Sequence, residues 1–144
     1  MGAPYWNQNA KAAIYGIGIN SGINEIVKAT IQSIAFQTKD LIKIMEKDSS
    51  SKITEIRVDG GMTNNESFLQ FLSDILNIKI IKQKNSEITA LGAAYLSGIG
   101  CKLTTFKKIK SKFNKKKNFK PKINKMERNK LYEGWIKAVE KTLI

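Results

Sequence analysis

The chain has 144 residues, of which 42% are apolar and 26% charged, and its formal net charge is +13. That length suits one domain or a part of a larger one, and the apolar share is sufficient for a hydrophobic core. Cys101 is the single cysteine and histidine is absent, which excludes an internal disulfide, a Ser-His-Asp triad and a zinc centre built from several cysteines or histidines.

The first 20 residues follow no regular apolar period and are interrupted by glycines, so we expect a loop. They have neither the basic start nor the apolar centre of a signal peptide. No apolar run in the chain approaches the roughly 20 residues of a membrane span. The sequence therefore predicts a cytoplasmic chain with no membrane span.

A long amphipathic helix is predicted to begin at Asn24, because apolar residues recur from there at spacings of three, four and seven for about six turns. Asn24 is a suitable N-cap, and Ile23 before it can form half of a hydrophobic staple. The sequence DSSSK at 48–52 is typical of a turn and ends the helix.

A strand, a glycine turn and a second helix are predicted next. Residues 53–58 have the pattern of a strand, which Asp59-Gly60-Gly61 ends. The helix extends from about residue 64 to 76, and Thr63 and Glu66 at its start have the spacing of a capping box.

The remaining predicted elements are a short strand at 78–82, a helix of small residues at 89–97 and a final helix from Lys125. We expect Thr89 and Asn124 to cap the two helices. Glycine within a helix costs about 1 kcal/mol relative to alanine, so Gly92 predicts close packing of another element there.

The order of helices and strands predicts an α/β fold in which helices pack on a small sheet. The two strands should be parallel because a helix joins them. Two strands make a very small sheet. We therefore expect the chain to be part of a larger sheet.

The positive charge is concentrated in one segment. Residues 1–101 carry ten basic and nine acidic groups, whereas 102–125 carry eleven lysines and no acid. Drift of a solvated surface is the simplest interpretation, since a nucleic-acid site more often contains arginine and stacking aromatics. Three phenylalanines in the segment, Phe106, Phe113 and Phe119, keep binding to nucleic acid or anionic lipid open as an alternative.

Asp59-Gly60-Gly61 is the sharpest candidate for a ligand site. Glycines after a strand allow close backbone approach, and the N-terminus of the following helix offers free N–H groups and a partial positive charge. This arrangement suits a phosphate or a nucleotide, although two glycines at the end of a strand more often form only a turn. The segment matches neither a Walker A loop nor the GxGxxG fingerprint.

Five motifs carry a resemblance to known proteins. They are Gly2-Ala3-Pro4-Tyr5-Trp6, Ala12-x-Ile14-x-Gly16-Ile17 with Glu25-Ile26-x-x-Ala29-Thr30-Ile31-Gln32, Val58-Asp59-Gly60-Gly61-x-x-x-Asn65, Glu87-x-Thr89-Ala90-Leu91-Gly92-Ala93-Ala94-Tyr95-Leu96, and Tyr132-x-Gly134-Trp135-x-x-Ala138-Val139. Together they resemble the C-terminal region of the glycerol kinases, within the FGGY family of carbohydrate kinases. The resemblance covers nearly the whole chain.

This resemblance implies part of an actin-like, ribonuclease H-like ATPase domain that binds ATP with Mg2+. Gly61 would lie against the nucleotide, Asn65 would contact its adenosine part, and Gly60 would shape the turn. Asp59 would orient the loop or reach magnesium-bound water, and capping of the turn is its alternative role. The alternative for Asn65 is a purely helical role. Residues 1–101 would be the nucleotide-binding region, 102–125 a lysine-rich connection and 126–144 the last helix.

In such kinases the glycerol-binding residues and the catalytic aspartate lie upstream of the matched region. We therefore expect no catalytic residue here, and an isolated chain that phosphorylates nothing. The N-terminal kinase region, in the same chain or a separate one, would be its partner, and the full enzyme a homo-oligomer. Alternatives are a kinase part for another polyol or sugar and a non-catalytic relic that binds polyanions.

Overall fold

The longest element of the computed structural model, which describes residues 1–83, 87–112 and 116–143, is helix α1 at Ile23–Ser49. Its N-cap is Gly22, whose backbone N–H donates a hydrogen bond to Oε2 of Glu25 at 2.8 Å. The prediction that Asn24 caps this helix is wrong, because the glutamate that bonds back to the cap fixes the start at Gly22. The turn predicted after the helix is confirmed, and its C-cap Ser50 has a left-handed backbone.

In the described residues, three strands form one sheet in the order β1-β2-β3, namely β1 at Glu55–Val58, β2 at Lys79–Gln83 and β3 at Lys116–Phe119. The first two are parallel, with Glu55 opposite Lys79, which confirms the prediction. The third is antiparallel to β2 and places Phe119 opposite Ile80. No pattern in the lysine-rich sequence predicts β3. Its lysines suit an edge strand, where charge discourages pairing with another sheet.

Four shorter α-helices follow in the described part of the chain, namely α2 at Glu66–Leu76, α3 at Ile88–Gly100, α4 at Phe106–Lys112 and α5 at Lys125–Thr142. The lysine-rich segment therefore contains a helix and a strand, while Phe113 lies outside the described residues. None of the described helices is long and apolar enough to cross a bilayer.

The helix caps agree only in part with the sequence predictions. Asn124 caps α5, where its Oδ1 accepts a hydrogen bond from the Glu127 N–H at 2.9 Å, as predicted. The N-cap of α2 is Asn65 and not Thr63, and the N-cap of α3 is Glu87 and not Thr89. Thr63 is taken up by the preceding turn, which displaces the helix start by two residues.

The core lies where α2 packs between α1 and the sheet. Leu69, Ile75 and Ile80 have no exposed surface, and they pack in two clusters that continue into α1 and α5. Phe36 of α1 joins the clusters by an edge contact with Phe71 and by stacking on Trp135. Burial of this apolar surface fixes α2, whose N-terminus carries the candidate site.

Residues 11–20 and helix α3 present apolar surface that none of the described residues covers. Residues 11–20 are all exposed, and Ile19 retains its full accessible surface. Helix α3 buries none of its residues, and a Cβ at Gly92 would meet nothing within 4 Å. The close packing predicted at Gly92 therefore has no partner among the described residues. Apolar surface of this extent is typical of an interface.

Candidate nucleotide-binding site

The turn after β1 requires glycine at Gly60. Its φ of +90° is a conformation that residues with a Cβ rarely adopt. Its carbonyl oxygen accepts hydrogen bonds from the backbone N–H of Thr63 at 3.0 Å and from the Thr63 hydroxyl at 2.7 Å. Thr63 is buried, so these bonds lock a short 3₁₀ turn at Gly61–Asn64 between the strand and α2.

Gly61 faces open space. Its φ is not in the left-handed region, and a Cβ built there would meet no atom within 4 Å. Neither backbone strain nor packing within the described residues therefore demands glycine at this position. The missing side chain leaves the backbone open at this position, and contact with a nucleotide there stays a prediction.

Asn65 is the N-cap of α2. Its side-chain oxygen accepts a hydrogen bond from the Phe68 N–H at 3.0 Å, which satisfies one of the free donors of the first turn. An asparagine also has an NH₂ group with two donors. No residue in the described ranges accepts from that group, so Asn65 can cap the helix and still donate to a ligand.

Asp59 occupies the carboxyl end of β1 and is exposed. Within residues 1–83, 87–112 and 116–143 its carboxylate forms neither a hydrogen bond nor an ion pair. Asp59 therefore does not cap the turn, which was its alternative role. The N-cap of the 3₁₀ turn is Gly60, and the Thr63 hydroxyl donates to the Gly60 carbonyl oxygen. The carboxylate stays available to a cation or to bound water.

The other acidic group near this edge is Glu66, in the first turn of α2. It pairs with Lys117 of β3 at 2.6 Å, and that hydrogen bond lowers the pKa of the Glu66 carboxyl. Both partners are exposed, so the pair adds little to stability. Its effect is to neutralise a negative charge close to the helix N-terminus.

A groove of about 390 Å³ opens beside Asn65, between the N-terminal halves of α1 and α2. Most of the surface that lines this groove is apolar. The lining residues are Asn24, Val27, Lys28, Ile31, Gln32, Asn65, Ser67, Phe68 and Phe71. Apolar walls with a few polar groups are typical of small-ligand sites.

The described residues contain no cluster of three or more aspartate, glutamate, cysteine or histidine side chains that could hold a metal ion. Magnesium is usually bound by one or two carboxylates together with substrate phosphates. Asp59 fits the single-carboxylate part of such a set, and the phosphates would come from the nucleotide.

Sequence reasoning missed a buried polar cluster around Asp40. Asp40 is 5% exposed and accepts hydrogen bonds from the Tyr5 hydroxyl at 2.9 Å, from the Trp135 Nε1 at 2.7 Å and from the Tyr132 hydroxyl. Burial, followed by the bond of each hydroxyl to the charged Asp40, raises the pKa of Tyr5 to about 12 and raises that of Tyr132 further. One available signal is that Asp40 follows Phe36 by four residues, on the buried face of α1.

Comparisons with known proteins agree with this geometry. Residues 1–101 match the model of the C-terminal domain of the FGGY family of carbohydrate kinases. The chain therefore belongs to this family.

The similar proteins point to one branch of the family. The chain is 44% identical to a glycerol kinase of Pediococcus pentosaceus over 99% of its own length and 28% of the relative. A crystal structure of Plasmodium falciparum glycerol kinase with ADP superimposes with a TM-score of 0.87 at 39% identity, over 99% of this chain and 29% of that one.

A gluconate kinase of Lactobacillus acidophilus has a TM-score of 0.72 at 24% identity, over 96% of this chain and 28% of that chain, which shows the shared fold alone. The predicted fold class is confirmed: an α/β part of an actin-like ATPase domain, with helices on a small, partly parallel sheet. The chain spans less than a third of the length of the curated relatives that it matches.

Proposed function

We propose that this chain forms the C-terminal nucleotide-binding part of a glycerol kinase, which transfers the γ-phosphoryl group of ATP to glycerol and yields ADP and glycerol 3-phosphate. The observation that carries the proposal is the open backbone at Gly61 beside the free amide of Asn65, at the end of a parallel strand. The relative crystallised with ADP has the same fold over nearly the whole chain.

Each residue of the turn has a distinct role in this proposal. Gly60 holds the turn in its left-handed conformation, and Gly61 lets the nucleotide lie against the backbone. Asn65 donates from its amide to an acceptor on the adenosine part while its oxygen caps α2. The free N–H groups and dipole of α2 favour a negatively charged ligand. Asp59 reaches a water bound to Mg2+.

The remaining machinery is proposed to come from the N-terminal kinase region, in the same polypeptide or in a separate one. Phosphoryl transfer requires the acceptor hydroxyl and the γ-phosphate to be held in line. The uncovered surfaces at residues 11–20 and on α3 give that region a place to pack. The isolated chain is therefore expected to be inactive, and assembly of the complete enzyme into oligomers stays a prediction.

Glycerol is the proposed acceptor because of the identities to glycerol kinases. They are 38–45% over nearly the whole chain, compared with 24% for the gluconate and xylulose kinases. The residues that select the acceptor are expected in the N-terminal region, so another polyol or sugar is the alternative.

A reconstitution assay tests the proposal. The N-terminal region of a glycerol kinase would be produced separately and mixed with this chain, and ADP formation would be followed with glycerol, ATP and Mg2+. We expect turnover only in the mixture, and its loss when Gly61→Val blocks the open backbone. Lys47→Met, on an exposed part of α1, is the matched control and should retain activity. Turnover by the isolated chain, or full activity of the Gly61→Val mixture, would refute the proposal.

A further inference from the structure

Two lysines from α1 lie against one aromatic ring of α5. The Nζ of Lys39 is 4.2 Å from the centroid of the Tyr132 ring, and the Nζ of Lys43 is 4.0 Å from it. The two ammonium nitrogens are therefore within about 8 Å of each other, a separation at which like charges repel. The ring attracts both cations but neutralises neither.

A third cation, Arg128, is close enough to repel Lys39. Arg128 lies one turn before Tyr132 on α5, and its Nε and Nη2 donate hydrogen bonds to the backbone carbonyls of Asp74 at 2.6 Å and Ile123 at 3.1 Å. These acceptors are uncharged, so they fix the guanidinium in place and leave its charge unbalanced. A cation fixed in this way loses little conformational entropy when it binds an anion.

The three cations have no ion-pair partner in the described residues. None of the four ion pairs found there includes Lys39, Lys43 or Arg128. The buried carboxylate of Asp40 lies nearby and attracts Lys39, but its one negative charge offsets only one of the three cations. Burial, followed by repulsion from Lys43 and Arg128, lowers the pKa of Lys39 to about 8. An unpaired, half-buried cation among other cations is unfavourable unless an anion joins it.

We propose that Lys39, Lys43 and Arg128 form an anion site that binds a phosphate group beside the Tyr132 ring. A phosphate has several oxygens, each able to accept a charge-assisted hydrogen bond at about 2.8 Å, and arginine can bind two of them at once. Arg128 contacts the backbone of Asp74, which lies nine residues after Asn65 and about 14 Å from it along the axis of α2. The anion site is therefore separate from the candidate nucleotide site. The inference therefore does not depend on the proposed kinase function.

Thermal unfolding of the full chain with inorganic phosphate tests the site. At millimolar phosphate we expect the midpoint to rise by several degrees above that in sodium chloride of equal ionic strength, since binding to the folded state stabilises it. Lys39→Met should abolish the shift, whereas Lys47→Met, two turns further along α1, should retain it. Parallel titrations with glycerol 3-phosphate and ADP show whether an organic phosphate is preferred to the free ion.

A second measurement keeps the test decisive if Lys39→Met fails to fold. The pKa of Lys39 in the unmodified chain can be read from the NMR shift of its Cε, and we expect bound phosphate to move it upward from about 8. An equal rise of the midpoint in Lys39→Met, or an unchanged Lys39 pKa at saturating phosphate, would overturn the inference. An Asn65→Asp variant should bind phosphate normally, which separates this site from the nucleotide site.

Discussion

Replacement of Asn65 by aspartate separates its two roles. The N–H of Phe68 donates to the Asn65 oxygen at 3.0 Å, and an aspartate oxygen can accept that bond equally well. A carboxylate at a helix N-terminus is itself favourable by about 0.3–1 kcal/mol. We therefore expect the free energy of unfolding of Asn65→Asp to equal or slightly exceed that of the unmodified chain, as measured by urea denaturation.

Nucleotide binding should respond in the opposite direction. Aspartate lacks the NH₂ donors, so the acceptor on the nucleotide loses its partner at a cost of about 1–3 kcal/mol, and a negative charge is added near the ligand. In the chain assembled with an N-terminal kinase region, the dissociation constant for ADP should rise about 10- to 100-fold. Asn65→Ala should lose both the donor and about 1 kcal/mol of capping energy. Unchanged ADP affinity in Asn65→Asp would refute the assigned role.

Four further substitutions test the turn, the buried Asp40 cluster and the charge of Lys39. Gly60→Ala should destabilise the chain by about 1–3 kcal/mol because the φ of Gly60 is +90°. Gly61→Ala should leave thermal stability unchanged and weaken ADP binding. Equal effects of the two substitutions on stability would contradict the account. Tyr132→Phe removes a donor from the buried Asp40 and should lower the free energy of unfolding by about 1–3 kcal/mol in denaturant titrations, more than Tyr15→Phe does on the surface. The folded-state pKa of Lys39 is about 8 and the unfolded value about 10.4, so the unfolded chain binds more protons between these values. The Lys39 contribution to stability should therefore rise with pH from about 8 towards 10, and Lys39→Met should remove that rise.

Short-range patterns predicted the parts of the fold that neighbouring segments of the chain determine. The parallel pairing of β1 and β2, the turn at Ser50 and the cap at Asn124 all follow from local sequence. The start of α1 at Gly22 was harder to predict, because Asn24 is also a good cap. The hydrogen bond between the Gly22 N–H and the Glu25 carboxylate decides between the two positions. Strand β3 depends on contacts with β2 far away in sequence, so its lysine-rich pattern contains no signal for it.

The candidate site was predictable in position but not in detail. Asp59-Gly60-Gly61 after a strand indicates a backbone-lined ligand site from sequence alone. Only the structure distinguishes the glycine required by φ from the glycine that faces open space. The Asp40 cluster joins the N-terminal loop, α1 and α5, and such a convergence of distant residues has no short-range signature.

The central claim is that Gly61 and Asn65 form one wall of the nucleotide site. It is tested most directly by labelling only this chain with ¹⁵N-glycine and ¹⁵N-asparagine, assembling it with an unlabelled N-terminal kinase region and adding ADP. We predict that the backbone signal of Gly61 and the side-chain NH₂ signal of Asn65 shift on saturation, while those of Gly2 and Asn77 do not. A change confined to other residues, with Gly61 and Asn65 unaffected at saturating ADP, would contradict the account.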